Sequence, residues 1–227
     1  MCNAERLRTT PDELRRWFDV QFTFDFTGNL QGGDVFPRQT RPVIRRRPSG
    51  QREAVMMEWG FPYVRKELKK DGTPYAPKPT TNVRHPHYPM WRKWAADPAH
   101  RCLVPSTAFA EPNPRAKESG QPRNIWFGLN DPVESLYAFA GLWRPWQGDW
   151  IKQRAAETSS VYAILTCDPN ELVAPIHPKA MPGILRPDDY ETWLTAPWEE
   201  AKSLQAPFSA AGMAIYEPEE DSQGTLL

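Results

Sequence analysis

Arg101-Cys102-Leu103-Val104-Pro105-Ser106-Thr107-Ala108-Phe109-Ala110-Glu111 is the stretch on which the fold turns. It opens on a short apolar, β-rich run at 102–104 and closes on a carboxylate. Runs of the same character and strand length follow at 125–129, 136–143 and 161–166. A shorter candidate at 54–59 leads into Trp59-Gly60-Phe61-Pro62. Helical signals are briefer. Thr10-Pro11-Asp12-Glu13 reads as an N-cap, a first-turn proline and a capping box, followed by Leu14, Trp17 and Phe18 at helical spacing. Residues 89–96, 168–173 and 187–194 are further short helix candidates, while 27–42 and the basic, proline-rich 65–81 read as loops. Strands outnumber helices, which predicts an α+β single domain with a mainly antiparallel β core and short flanking helices. It is expected over 1–216, with 217–227 as an acidic, flexible tail.

Composition narrows the class. A chain of 227 residues makes one large domain or two small ones. Its 25 prolines against 13 glycines exclude an all-helical fold, because an interior proline costs a helix about 3 kcal/mol. Ten tryptophans and ten phenylalanines exceed what such a core needs, so some are expected on a binding surface. No apolar run approaches the roughly 20 residues of a membrane span, and the start has no signal-peptide apolar region. Cys2, Cys102 and Cys167 are odd in number and lack metal spacing, which suits a reducing cytoplasm; no metal and no organic cofactor are expected. Residues 1–101 hold 19 Lys and Arg against 11 Asp and Glu, whereas the remainder holds 9 against 17. The basic half concentrates Arg41, Arg45, Arg46, Arg47 and Arg52, a pattern that fits a phosphate-backbone partner or a solvated charged face.

Five residues are candidates to carry chemistry. Cys2, once Met1 is removed, holds an α-amine and a thiol on adjacent carbons, and such a pair traps an aldehyde as a thiazolidine ring. The alternative is a cysteine placed second by chance. Glu111, at the end of an apolar strand, is either a desolvated general acid or an ordinary solvated carboxylate. His177, in Ala174-Pro175-Ile176-His177-Pro178-Lys179-Ala180-Met181-Pro182, suits proton transfer near neutral pH, although a loop histidine is often a plain surface residue. In Asn82-Val83-Arg84, an amide can orient a substrate hydroxyl and a guanidinium can hold a phosphate.

Taken in order, these segments resemble the SOS-response-associated peptidases (SRAP), also called abasic-site processing proteins. Met1-Cys2 opens the series, and Trp59-Gly60-Phe61-Pro62, Asn82-Val83-Arg84, 101–105 and 109–111 continue it. Ala140-Gly141-Leu142-Trp143 and the stretch from Thr166 through His177 to Pro182 complete it. The resemblance implies a monomeric cytoplasmic protein, nucleoid-associated if bacterial, that binds single-stranded DNA and crosslinks to an abasic site through Cys2. It further implies that Asn82 orients the nucleophile, that Glu111 and His177 form the acid–base pair, and that Arg84 contacts a DNA phosphate. Trp59, Gly60 and Pro37 fall near the implied strand-binding surface. Lys179 stands where the family usually has arginine, which exchanges a bidentate contact for a point charge. Pro112 stands where the family has tryptophan, removing a candidate base-stacking ring.

Two other classes compete with this expectation. One is an N-terminal-nucleophile thiol amidohydrolase or peptidase using Cys2 with His177. The other is a non-catalytic single-stranded-DNA-binding module whose Cys2 is idle.

Overall fold

Strands that are apolar on both faces must be covered on both faces, and this chain supplies two different covers. The structure, a computed structural model, describes residues 4–23, 33–118, 120–131, 136–147 and 159–216. In chain order the strands are β1 (Ala4–Leu7), β2 (Val20–Phe22), β3 (Gly33–Val35), β4 (Thr40–Arg46), β5 (Arg52–Trp59), β6 (Phe61–Tyr63), β7 (Lys78–Thr80) and β8 (Asn82–Val83). They continue as β9 (Arg101–Ser106), β10 (Ala108–Pro112), β11 (Asn124–Leu129), β12 (Tyr137–Trp146), β13 (Ser159–Cys167), β14 (Met181–Pro182), β15 (Ile184–Leu185) and β16 (Met213–Tyr216). The α-helices are α1 (Pro11–Phe18), α2 (Arg92–Ala96), α3 (Tyr190–Thr195) and α4 (Trp198–Ala201).

One antiparallel sheet runs β16-β11-β10-β1-β3. The larger sheet runs β14-β13-β12-β9-β4-β5-β2, with β15 beside β12 and β8 beside β13. A parallel pairing of β5 with β13 at Glu58↔Val161 and Trp59↔Tyr162 closes the path from β13 through β12, β9 and β4 back on itself. The predicted α+β class with a mainly antiparallel core therefore holds.

Period-two alternation splits the core. Ile44, Leu103, Ala138, Ala140, Leu142, Val161, Ala163 and Leu165 face one way and pack with Leu14 and Phe18 of α1 and Trp193 of α3. Val43, Cys102, Val104, Phe139, Tyr162 and Ile164 face the other way and meet Phe109 and Phe127 of the five-stranded sheet. Each large apolar side chain so buried stabilises the fold by about 1.5–3 kcal/mol.

Two motif residues have structural reasons. Arg101 is fully buried and donates to the carbonyls of Ala95, Trp193 and Ala196, satisfying acceptors that the ends of α2 and α3 leave over. Gly141 leaves room for the neighbouring strand, since a Cβ there would stand 2.7 Å from Cys102 Sγ and 2.9 Å from Val104 Cγ2. Gly141→Ala is expected to cost about 1–3 kcal/mol through overpacking, read as a lower urea midpoint. An unchanged midpoint would show that the strands part freely.

Helix α1 forms as expected: Thr10 Oγ1 accepts from Glu13 N at 3.2 Å while Glu13 Oε2 accepts from Thr10 N at 2.8 Å. Other expectations need correction. Segment 27–42 is not all loop, because β3 and the start of β4 occupy its described part; Pro42 and the arginines dilute the apolar signal of β4. No helix forms at 168–173. There Asn170 Oδ1 accepts from Leu172 N at 3.1 Å and Val173 N at 3.0 Å, so the side chain organises a turn in place of a helix. The 89–96 helix begins only at Arg92, and the 187–194 candidate is a 3-10 turn followed by α3. Within the 65–81 segment, β7 pairs with β6. The predicted 217–227 tail lies outside the described residues. No described helix is long and apolar enough to cross a membrane.

Candidate active site

Glu111 sits two residues beyond Phe109 on β10, so the pleat turns its carboxylate to the same inner side as that core ring. Its side chain is 1% exposed. Burial pushes the carboxyl above its ordinary value, opposed by the positive charges of the amino-terminal group and of His177. A carboxylic acid that keeps its proton longer than usual, with an imidazole in electrostatic reach, has the chemistry that proton transfer requires.

His177 is placed by the turn that Asn170 organises. Its backbone N–H donates to Val173 O at 2.8 Å, and its Nδ1 lies 2.7 Å from Ala180 O. A carbonyl only accepts, so Nδ1 carries the hydrogen and Nε2 is left as the basic ring nitrogen. Asn170 itself is tied by its Nδ2 to Phe208 O at 2.8 Å.

Asn82, 8% exposed, lies on β8, which runs parallel to β13 with Asn82 opposite Ile164. Its Nδ2 donates to Thr81 Oγ1 at 2.8 Å, and Thr81 O accepts from Ile164 N at 3.0 Å. The same β13 leads into the His177 loop. Arg84, just beyond β8, pairs with Asp168 at the end of β13, and Gln205 Nε2 bridges Arg84 O and Thr166 O at 3.1 and 2.7 Å. Burial pushes the neighbouring Cys167 thiol up to about 12, against the pull of the Arg84 charge.

Cys2 lies outside the described residues. Ala4 is opposite Ala110, and the antiparallel sense of this pair means that the chain before Ala4 leaves the strand at the Glu111 end. The strand that carries this terminus is fixed from inside. Glu5, fully buried on β1, accepts from Tyr162 Oη at 2.8 Å and pairs with Arg41 Nη1 at 2.5 Å, while Arg41 Nη2 donates to Pro105 O. Along the chain Arg41 falls among the clustered arginines of the basic half, and nothing in local sequence marks it as buried.

The residues matched to a strand-binding surface divide. Trp59 is 0% exposed, stacks on Tyr162 and donates its Nε1 to Thr81 O at 3.2 Å, so its indole is a core group that no base can reach. Its contribution is to fix the backbone of Gly60, whose φ of 125° strains any side chain and whose N–H meets Tyr162 O at 2.7 Å. Pro37 is half-buried in a turn stitched to Trp59 through Arg38 N at 2.9 Å and Gln39 O at 3.0 Å. Lys179 is exposed beside His177. Arg45 and Arg46 stand elsewhere, lining a cleft that includes none of Asn82, Glu111 or His177. Tyr63 and Tyr75 are exposed rings beside the basic 65–70 segment, where Arg65 stacks on Tyr75 at 5.1 Å, and Tyr88 is a further exposed ring, packed against His85 and His87. Among the described residues no group of three His, Cys, Asp or Glu side chains is arranged to hold a metal ion.

A family model described as SOS response associated peptidase (SRAP) matches residues 1–221. No curated protein matches the chain. A crystal structure of a protein from Bordetella bronchiseptica is similar at 24% identity, with a TM-score of 0.71, over 94% of this chain and 98% of that one. A protein from Bacteroides thetaiotaomicron is similar at 20% identity and a TM-score of 0.71, over 95% and 91%. A phage-related protein from Bordetella bronchiseptica follows at 16% identity and a TM-score of 0.62, over 95% and 93%. At these identities the likeness is one of fold.

Proposed function

The chain belongs to the SOS response associated peptidase (SRAP) family, and from that premise we propose that it binds single-stranded DNA and joins covalently to an abasic site through Cys2 after loss of Met1. The observation that carries this reading is Glu111, buried and proton-retaining, within reach of the His177 charge at the end of β10 toward which β1 begins. A general acid is what the lesion requires, because an abasic deoxyribose is mostly a closed hemiacetal that must open to show its C1′ aldehyde.

The reaction balances without a cofactor. The Cys2 amine adds to C1′ and forms a C–N bond; the hydroxyl leaves as water with a proton from the Glu111–His177 pair. The thiol then adds across the C=N bond, its sulfur to carbon and its proton to nitrogen. One water is lost overall. Holding the aldehyde beside both nucleophiles supplies the proximity advantage. Asn82 orients the terminus, Arg84 and Lys179 attract phosphates, and Tyr63, Tyr75 and Tyr88 offer exposed rings on which bases can stack. Pro37 and the Trp59-Gly60 turn shape the backbone of that surface.

Excision of Met1 is itself a peptide hydrolysis, and the family's description as a peptidase fits self-processing by the same acid and imidazole. Cys2→Ala is expected to abolish the denaturant-resistant protein–DNA band formed with an abasic single strand on a gel. A band of wild-type intensity would remove Cys2 from the reaction, and turnover of peptides without any band would favour the amidohydrolase reading.

A further inference from the structure

A second charged cleft lies apart from the Glu111 site. It has a volume of about 530 Å3, and its charged and aromatic lining includes Arg45, Arg46, Arg47, Glu53, His100 and Trp143. Three guanidinium groups meet one carboxylate there, leaving a surplus of positive charge. Glu191, just outside, is shared between Arg46 at 3.9 Å and Arg52 at 3.0 Å.

The guanidinium planes are already set. Arg45 Nε donates to Glu53 Oε1 at 2.8 Å and Arg47 Nε to Glu53 Oε2 at 2.7 Å. Arg46 Nε donates to Gly50 O at 3.0 Å. Every Nε is thus spent on the protein, which fixes each fork; no described residue hydrogen-bonds the terminal nitrogens of Arg45 or Arg47. Forks held in advance lose little entropy when they meet tetrahedral oxygens. Arg45 also lies over the Trp143 ring at 4.4 Å, and His100 Nδ1 sits 3.2 Å from Trp143 O. Pro98 and Leu194 add apolar wall. Anion-binding forks beside an aromatic, apolar wall match a ligand with a phosphate on a planar organic body, and the volume lies within the roughly 300–1,000 Å3 of small-molecule sites.

We propose that this cleft binds the phosphate and nucleoside of a single nucleotide, either free or as one unit of a DNA strand. None of Asn82, Glu111 and His177 lines it, so the assignment stands or falls independently of crosslinking.

Calorimetric titration of the full chain with thymidine 5′-monophosphate and, separately, with a short undamaged oligothymidylate tests it. Replacing both Arg46→Gln and Arg47→Gln is expected to weaken at least one of these probes roughly tenfold or more, the loss typical of charged hydrogen bonds. Loss confined to the mononucleotide identifies a free nucleotide as the occupant. Loss on the oligonucleotide, with a shallower dependence on salt, identifies a unit of a strand. The single Arg46→Gln variant leaves both Glu53 partners in place and is expected to show part of the same loss, which separates binding from misfolding. Wild-type affinity of the double variant for both probes overturns the assignment.

Discussion

Glu111→Gln is expected to slow adduct formation with an abasic strand by about a hundredfold or more, while the folded protein survives. The amide keeps the shape of the side chain but has no proton to give as the sugar ring opens and water departs. Its effect on stability has the opposite sign. Burial raises the Glu111 carboxyl above its ordinary value, so the native state holds that proton to a higher pH than the unfolded chain does. The stability linked to this group is complete below the ordinary carboxylate range and is lost as pH rises through the raised native value. Glutamine has no such loss. The variant is therefore expected to be at least as stable as the wild type at pH 8 and to lose its advantage as the pH falls toward 4. Single-turnover gel rates and urea denaturation at both pH values read the two effects separately. A slow variant that is also markedly less stable at pH 8 would make Glu111 a structural residue and not an acid.

Arg41→Ala is expected to cost about 3–5 kcal/mol, because it strands the Glu5 carboxylate in a fully buried site. Both side chains are almost wholly buried between the two sheets, and Tyr162 Oη completes the cluster. Burial already lifts the Glu5 carboxyl against the pull of Arg41, which marks the desolvation the pair must offset. Replacing both partners, Glu5→Gln with Arg41→Met, should recover a large share of that loss, since no unpaired charge remains. Tyr162→Phe removes one hydrogen bond and should cost about 1 kcal/mol. The cluster also bears on function, because it anchors β1, the strand that starts two residues after Cys2. Adduct yield should therefore fall in Arg41→Ala even at temperatures where the protein stays folded. Urea denaturation of the four proteins measures the ledger; a loss under 1 kcal/mol for Arg41→Ala would mean that water reaches Glu5.

The parts of this fold that were legible in sequence are those governed by local rules. The capping box at Thr10 and Glu13 depends on residues three apart, and it forms as read. The apolar runs at 125–129 and 161–166 lie within β11 and β13, and all but the first residue of 136–143 lies within β12, because both of their faces are covered. Long-range satisfaction was not legible. Arg41 looks like its neighbours Arg45 and Arg46 along the chain, yet a carboxylate on β1 and a carbonyl of β9 draw it into the core. Trp59 has the aromatic character of a stacking platform, but the parallel contact of β5 with β13 buries it against Tyr162. Asn170 replaced a helix with a turn by offering its own side chain as acceptor, and that turn positions His177. Of the candidate site, the resemblance to the SRAP family implied the pairing of Glu111 with His177, which fold into mutual electrostatic reach.

Mass spectrometry of the intact protein after incubation with an abasic single strand, followed by proteolysis to locate the linkage, tests the central claim most directly. The expected product is a chain lacking Met1, heavier by the oligonucleotide less one water, joined at Cys2 and resistant to borohydride because no imine remains. Attachment at a lysine, or an adduct on a chain that still carries Met1, would contradict the claim.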